Sequence, residues 1–216
     1  MVPIQRRNPA REAGADLFYE IDMKIIFLDN DGVICLSGNW GSRHKKQREW
    51  GRKMSMTIRE LPVECRFDNF DRKAIKVLNS ILEETGAEIV VSSDWRNWAN
   101  LEELGEYYVS QGISKKPVGL TKKIQEFEAP AGFPWHRAWE LEQTRILEIQ
   151  QYLKDHPEIS QWVAVDDLRM GKTGLDYSVE YNHPWGLENF VYTPLSTEGI
   201  KQSGIKEKIL NYLNND

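Results

Sequence analysis

The sequence has few of the residues that staple a small extracellular fold or hold a metal through sulfur. Only Cys35 and Cys65 occur in 216 residues, too few for a disulfide scaffold or a four-cysteine zinc site, and a reducing compartment is expected. No run approaches the roughly 18 consecutive apolar residues of a membrane span. The first 22 residues carry Arg6, Arg7 and Arg11 with no apolar core behind them; they do not read as a secretory signal and are expected to form a surface arm. An excess of positive charge is also missing. Lys and Arg number 28 against 33 Asp and Glu, a net charge of -5, so bulk attraction to a duplex is not expected and only a local basic patch could serve. There is no internal repeat. The composition, 40% hydrophobic and 28% charged, is globular, and the length suits one α/β domain over residues 23–216 rather than two.

What the chain does contain is an apolar run, Ile25-Ile26-Phe27-Leu28, ending in Asp29-Asn30-Asp31-Gly32. Four apolar residues without alternation suit a central parallel strand, and sheets of that kind bind ligands beyond the carboxyl ends of their strands. Residues two apart in extended chain point the same way, so Asp29 and Asp31 can address one atom, with Gly32 supplying the turn. A plain turn competes with this reading, because Asp, Asn and Gly are ordinary turn residues. A calcium loop does not: Phe27 and Gly38 stand where oxygen ligands would be needed. A second run, Trp162-Val163-Ala164-Val165, ends in Asp166-Asp167. Two such tips meet only if their strands are neighbours in one sheet, and acids gathered there call for a cation, for which Mg²⁺ suits hard oxygen ligands.

Helical spacing appears at residues 68–84, 97–111 and 140–153, and in a last helix capped by Ser196 or Thr197; strands are expected at 87–93, 117–120 and 189–193. The strand at 87–93 closes on Ser92-Ser93 with Arg96 close behind, a pattern that grips an anion or, more commonly, caps the next helix. Residues 35–67 and 121–139 are expected to be irregular insertions. In the first, Arg43-His44-Lys45-Lys46-Gln47-Arg48 reads more readily as a solvated face than as an anion clamp. Gly171-Lys172-Thr173 lacks the earlier glycine of a P-loop, and His44, His136, His156 and His183 have no spacing that suggests joint ligation.

In this order the parts resemble the haloacid dehalogenase (HAD) superfamily of aspartate-nucleophile phosphatases, from Lys24 to Leu213. Asp29-Asn30-Asp31-Gly32-Val33 is similar to its first motif, Ser92 or Ser93 to its second, and Asp166-Asp167 to its fourth. The stretch from Ile89 to Arg96 and the ending Phe190-Val191-Tyr192-Thr193-Pro194-Leu195 most resemble HAD modules of bacterial RNA-repair proteins and of bacterial effector phosphatases. The resemblance implies a Rossmannoid three-layer sandwich around a parallel sheet, with small insertions in place of a full cap. It also implies that Asp29 attacks phosphorus and forms an aspartyl phosphate, that Asp31 is the acid and base, and that Ser92, ahead of Ser93, holds the phosphoryl group. Mg²⁺ would be held by Asp29, the Asp31 carbonyl and Asp167, with Asp166 the alternate.

For the cation of the third motif Arg145 is favoured over Lys122 and Lys123, and Asn30, Arg96, Lys122 and Lys123 are expected to touch substrate. An open site implies a phosphorylated macromolecule. Phosphotyrosine protein comes first, because Trp40, Trp50, Trp95, Trp98, Trp135 and Trp139 could wall a ring-sized mouth. A polynucleotide end comes second, served by the basic cluster and stacking. A silent binding module comes third, and the Asp29 and Asp31 pair argues against it. A monomer is expected, cytoplasmic or delivered as an effector to a host cytosol.

Overall fold

Fully apolar strands alternate with helices that are apolar on one side, which dictates a sheet covered on both faces. The computed structural model describes residues 23–51, 53, 55–124, 136–172 and 185–214, of which residues 136–139 by backbone alone. The expected arm, Trp135 and the side chain of Trp139 lie outside the described residues. Five strands, β1 (Met23–Leu28), β2 (Glu88–Val91), β3 (Gly119–Leu120), β4 (Ile159–Asp166) and β5 (Phe190–Tyr192), form one sheet in the order β3-β2-β1-β4-β5. Every pairing is parallel.

The helices are α1 (Ser42–Trp50), α2 (Val63–Arg66), α3 (Arg72–Thr85), α4 (Leu101–Gln111), α5 (His136–Asp155) and α6 (Ile205–Asn214). One core joins Leu28, Val91, Val165 and Val191 to α3, α4 and α6; the other joins Phe27, Val90, Ala164 and Phe190 to α5. These are the two faces dictated by alternation along each strand, and they make three layers with β1 at the centre. Among the described residues no helix is long and apolar enough to cross a membrane.

Asp71 caps α3, its carboxylate accepting from the amides of Lys73 and Ala74 at 2.9 Å each. The last helix begins later than its hydroxyl signals imply: Ser196 and Thr197 precede a single 3₁₀ turn, Gly199–Lys201, before α6. The insertion at 35–67 is more ordered than its sequence suggests. It holds 3₁₀ turns at Ser37–Asn39 and Ile58–Glu60 besides α1 and α2. α1 has hardly any apolar residues and docks through polar contacts instead: Asp68 accepts from the Arg43 amide at 2.7 Å, and the Lys46 ammonium donates to Phe67 O at 2.7 Å and Asn69 Oδ1 at 3.0 Å. Lys46 therefore anchors the insertion, while His44, Lys45 and Arg48 are exposed.

Strand order reverses at β1. The chain steps outward through β2 and β3, then crosses back to place β4 on the other side, so the switch point lies between the carboxyl ends of β1 and β4. In an open α/β sheet that crevice is where ligands bind.

Candidate active site

The ladder runs one residue beyond β1, β2 and β5, with Asp29 N donating to Val165 O at 3.1 Å, Ser92 N to Leu28 O at 2.9 Å and Thr193 N to Asp166 O at 3.0 Å. Asp29, Ser92 and Asp166 thereby come to one edge. Arg145 reaches them from α5. Its Nη1 donates to Asp29 Oδ1 and Asp166 Oδ2, both at 3.0 Å, and to the Ser92 carbonyl, while Nη2 stands 3.8 Å from Asp94. Asp166 also accepts from the Leu168 amide at 2.8 Å, so both of its oxygens are engaged by protein. Asp167 instead projects over the turn after β1, where a Cβ on Gly32 would lie 2.1 Å from its Oδ2 and the glycine has φ +74°. Only glycine leaves room there.

Burial pushes the Asp29 carboxyl above its usual range, against the lowering effect of Arg145. Burial and the charge of Asp29 do the same to Asp166, and push Asp167 up to about 7. The Arg145 pKa is raised too, which holds its charge: burial alone would weaken that charge, but Asp166, Asp29 and Asp94 more than reverse the effect. Carboxylate oxygens of Asp29, Asp166 and Asp167 lie within 4.8 Å of one another. Three such acids and one guanidinium leave an excess of negative charge that a hard divalent cation relieves, and these residues fit Mg²⁺ in donor type.

Asp31 stands apart at the mouth. The residue as a whole is exposed, but its carboxylate is turned toward the protein and accepts a hydrogen bond from the indole Nε1 of Trp95 at 2.8 Å. Burial of the carboxyl raises its pKa, and the indole and the Cys35 thiol pull it back down. Trp95 itself is buried, stacked on Phe67 and Phe70 at centroid distances of 4.3 and 5.3 Å. It cannot wall a substrate pocket. Trp40, Trp50 and Trp98 are exposed, at 51%, 44% and 44%, and only they remain available for that task among the described tryptophans of the sequence-based wall.

The other expected substrate contacts divide. Asn30 is buried and accepts from the Tyr108 hydroxyl through Oδ1, leaving its Nδ2 unpartnered; the Ser92 Oγ and Thr193 Oγ1 are likewise buried without a partner. Ser93 makes no well-formed hydrogen bond through Oγ but lies near enough to Asp29 to favour its carboxylate. Arg96 donates to Thr121 and pairs with Glu148 at 2.5 Å, both side chains being buried. Lys122 and Lys123 are exposed; Lys122 stands 4.0 Å from Asp155, and Lys123 lines a cavity with Arg145. Sequence reasoning missed Glu148, although it sits three residues after Arg145 and so on the same side of α5. It also gave Trp95, Tyr108 and Thr193 no part in holding the site, because their polar tips carry no periodic signal.

The family model of the HAD domain in Swiss Army Knife RNA repair proteins matches residues 25–201. The chain belongs to this family. No curated protein and no solved structure matches it. Membership accords with the five-stranded parallel sheet and makes the HAD domain described here a phosphatase-type hydrolase. Such phosphatases generally use Mg²⁺, in keeping with the donor set of Asp29, Asp166 and Asp167 in this HAD domain.

Proposed function

We propose that the protein is a Mg²⁺-dependent phosphomonoesterase that acts on the phosphorylated end of a nucleic-acid strand. The observation that carries the reading is the meeting of Asp29, Asp166 and Asp167 around Arg145 at the β1–β4 switch point, with Asp31 at the mouth. An Asp29 oxygen attacks phosphorus, the bond from phosphorus to the ester oxygen breaks, and the Asp31 carboxyl gives its proton to the leaving oxygen. Asp31, now a carboxylate, takes a proton from the water that attacks the aspartyl phosphate, releasing inorganic phosphate and restoring Asp29. Arg145 favours the ionised form of Asp29 and places it, and the unpartnered Ser92 hydroxyl is free to donate to a phosphoryl oxygen. Mg²⁺, held by Asp29, the Asp31 carbonyl and Asp167, would neutralise charge on the transferring group. Asp167 is the better direct ligand because Asp166 is already engaged by Arg145 and the Leu168 amide.

Two observations move a nucleic-acid substrate ahead of phosphotyrosine protein. Trp95 is a core residue and not part of a ring-sized mouth, and the matching family is that of RNA repair proteins. Phosphotyrosine protein stays as a second reading because of one feature: Trp40 is half exposed beside the Asp31 turn, its indole donating to Cys35 O at 3.2 Å. The test is phosphate release from end-phosphorylated oligonucleotides, a phosphotyrosine peptide and a simple aryl phosphate, with Mg²⁺ or with chelator. Release with Mg²⁺, its absence with chelator, and a loss of at least about 10³-fold in folded Asp29→Asn are expected, magnitudes typical of removing a reacting group. Near-wild-type turnover in that variant rejects Asp29 as nucleophile, and a preference for the peptide restores the second reading.

A further inference from the structure

Two cavities lie beside Arg96. A cavity of about 240 Å³ is lined by Asp94, Arg96, Asn97, Lys123 and Arg145, and a second of about 400 Å³ by Arg59, Arg66, Arg96, Asn97, Trp98 and Leu120. Arg96 and Asn97 line both, so the two adjoin: the inner one is bounded by Arg145, whose guanidinium meets Asp29, and the outer one reaches Leu120 of β3. The outer part is basic in a chain whose net charge is -5: three arginines line it against one acid, Glu103.

The arginines differ in what they have left to offer. Arg96 is used by Glu148, and Arg66 pairs with Glu103 at 2.9 Å while donating to Leu61 O and Trp98 O. Arg59 is exposed and donates to Asn97 O at 2.7 and 3.2 Å through Nη2 and Nε. Among the described residues it meets no carboxylate within ion-pair distance, so its charge is uncompensated. The carbonyls of Asn97 and Trp98 thus fix two guanidinium groups beside Trp98, a residue 44% exposed.

We propose that this outer groove is a binding subsite for a single-stranded polynucleotide, in which Arg59 meets a backbone phosphate and Trp98 stacks on a base while the terminal phosphate lies at Asp29. The inference rests on the phosphatase reading for the position of that terminal phosphate. A cation and an exposed indole side by side, away from the reacting groups, suit a ligand that repeats phosphate and flat base along its length. A phosphopeptide brings one phosphate, and that one is taken at Asp29. Unpaired bases are required because the stacking face must be free.

The test measures binding of 5′- and 3′-phosphorylated tetranucleotides, of the corresponding mononucleotides and of a phosphotyrosine peptide to Asp29→Asn protein across a salt series. Asp29→Asn binds tetranucleotide at least about tenfold more tightly than mononucleotide. Arg59→Ala lowers the slope of log affinity against log salt by about 0.7, as expected for one phosphate contact to a single strand, and Arg59→Lys restores it. Trp98→Ala weakens tetranucleotide binding by about tenfold or more, the loss of one stacked base. Melting curves confirm that the variants are folded. Equal affinity for the two lengths, a salt slope that Arg59→Ala leaves intact, or peptide binding with the same dependence on Arg59 and Trp98 overturns the subsite. If the wild-type protein releases phosphate from no substrate, the phosphatase reading fails separately, and the binding series still decides whether the groove holds a strand.

Discussion

Asp31 is held by a neighbour whose role no motif announces. The Trp95 indole is fixed by stacking between aromatic rings and offers its N–H to Asp31. Trp95→Phe keeps an aromatic ring in that stack and removes the donor, so Asp31 loses its fixed orientation. Proton donation matters more for an alkoxide than for a good aryl leaving group. We therefore expect Trp95→Phe to lower kcat by about tenfold on alkyl phosphates and clearly less on aryl phosphates, with little added effect in an Asp31→Asn background. Equal losses on both classes, measured at matched stability, would assign Trp95 to packing alone. At this scale the acids were legible because strand periodicity and an abrupt apolar-to-acid boundary expose them. Trp95 was legible only as an aromatic; its sequence-based place at the mouth was wrong because the partners that bury it come from outside its own segment, Phe67 and Phe70 from the connection before α3 and Tyr107 from α4.

Gly32 is the other residue on which placement of the acids depends. In Gly32→Ala the new methyl and the Asp167 carboxylate cannot share their space, and the positive φ adds strain. Half-saturation by Mg²⁺ should rise by about tenfold or more, in line with changes that disorient metal ligands. A titration of activity against Mg²⁺ reads this directly, and an unchanged midpoint would remove Asp167 from the ligand set.

Among the elements, α5 carries the greatest load. It brings Arg145 to the acids and, one turn later, Glu148 to Arg96, so a buried ion pair fixes the register of the helix whose cation completes the site. Glu148→Ala leaves Arg96 buried and uncompensated, and breaking such a pair destabilises by roughly 3–5 kcal/mol. Chemical unfolding should show that loss, and Arg96→Met in the same background should recover part of it by removing the stranded charge. The main strands and helices were readable from apolar runs, caps and the order of parts. α1 was not, since Ser42 to Gln47 contain no apolar residue and the helix is held by Asp68, Phe67 and Asn69 from outside itself. Nor could sequence show that Arg96 is turned toward Glu148 rather than left open to an anion.

For the whole molecule, the acid cluster links metal, pH and stability. Asp167 has a carboxyl whose ordinary pKa of 3.8 is raised to about 7 by burial and by Asp29. A group protonated more readily in the folded state favours folding fully below its unfolded pKa, and that contribution is lost as pH rises through about 7. In chelator the melting temperature should therefore fall between about pH 4 and pH 7, through this cluster. Added Mg²⁺ should raise it, and more at pH 8 than at pH 5, because protons compete with the cation for the same oxygens. A Mg²⁺-dependent gain that is equal at the two pH values would exclude the cluster as the place where the ion binds.

The position of β1 also has a consequence for the way the protein is made. β1 leads the sheet in sequence but lies in its middle, and its partner on one side, β4, does not begin until Ile159. On the ribosome an apolar strand with one open hydrogen-bonding edge must therefore wait for most of the chain to be synthesised, a period in which it is exposed to wrong pairing with other chains. The same delay keeps Asp29 away from Asp166 and Asp167, so a nascent or truncated chain that stops before β4 carries the reacting acid of β1 without the two acids that complete the cluster.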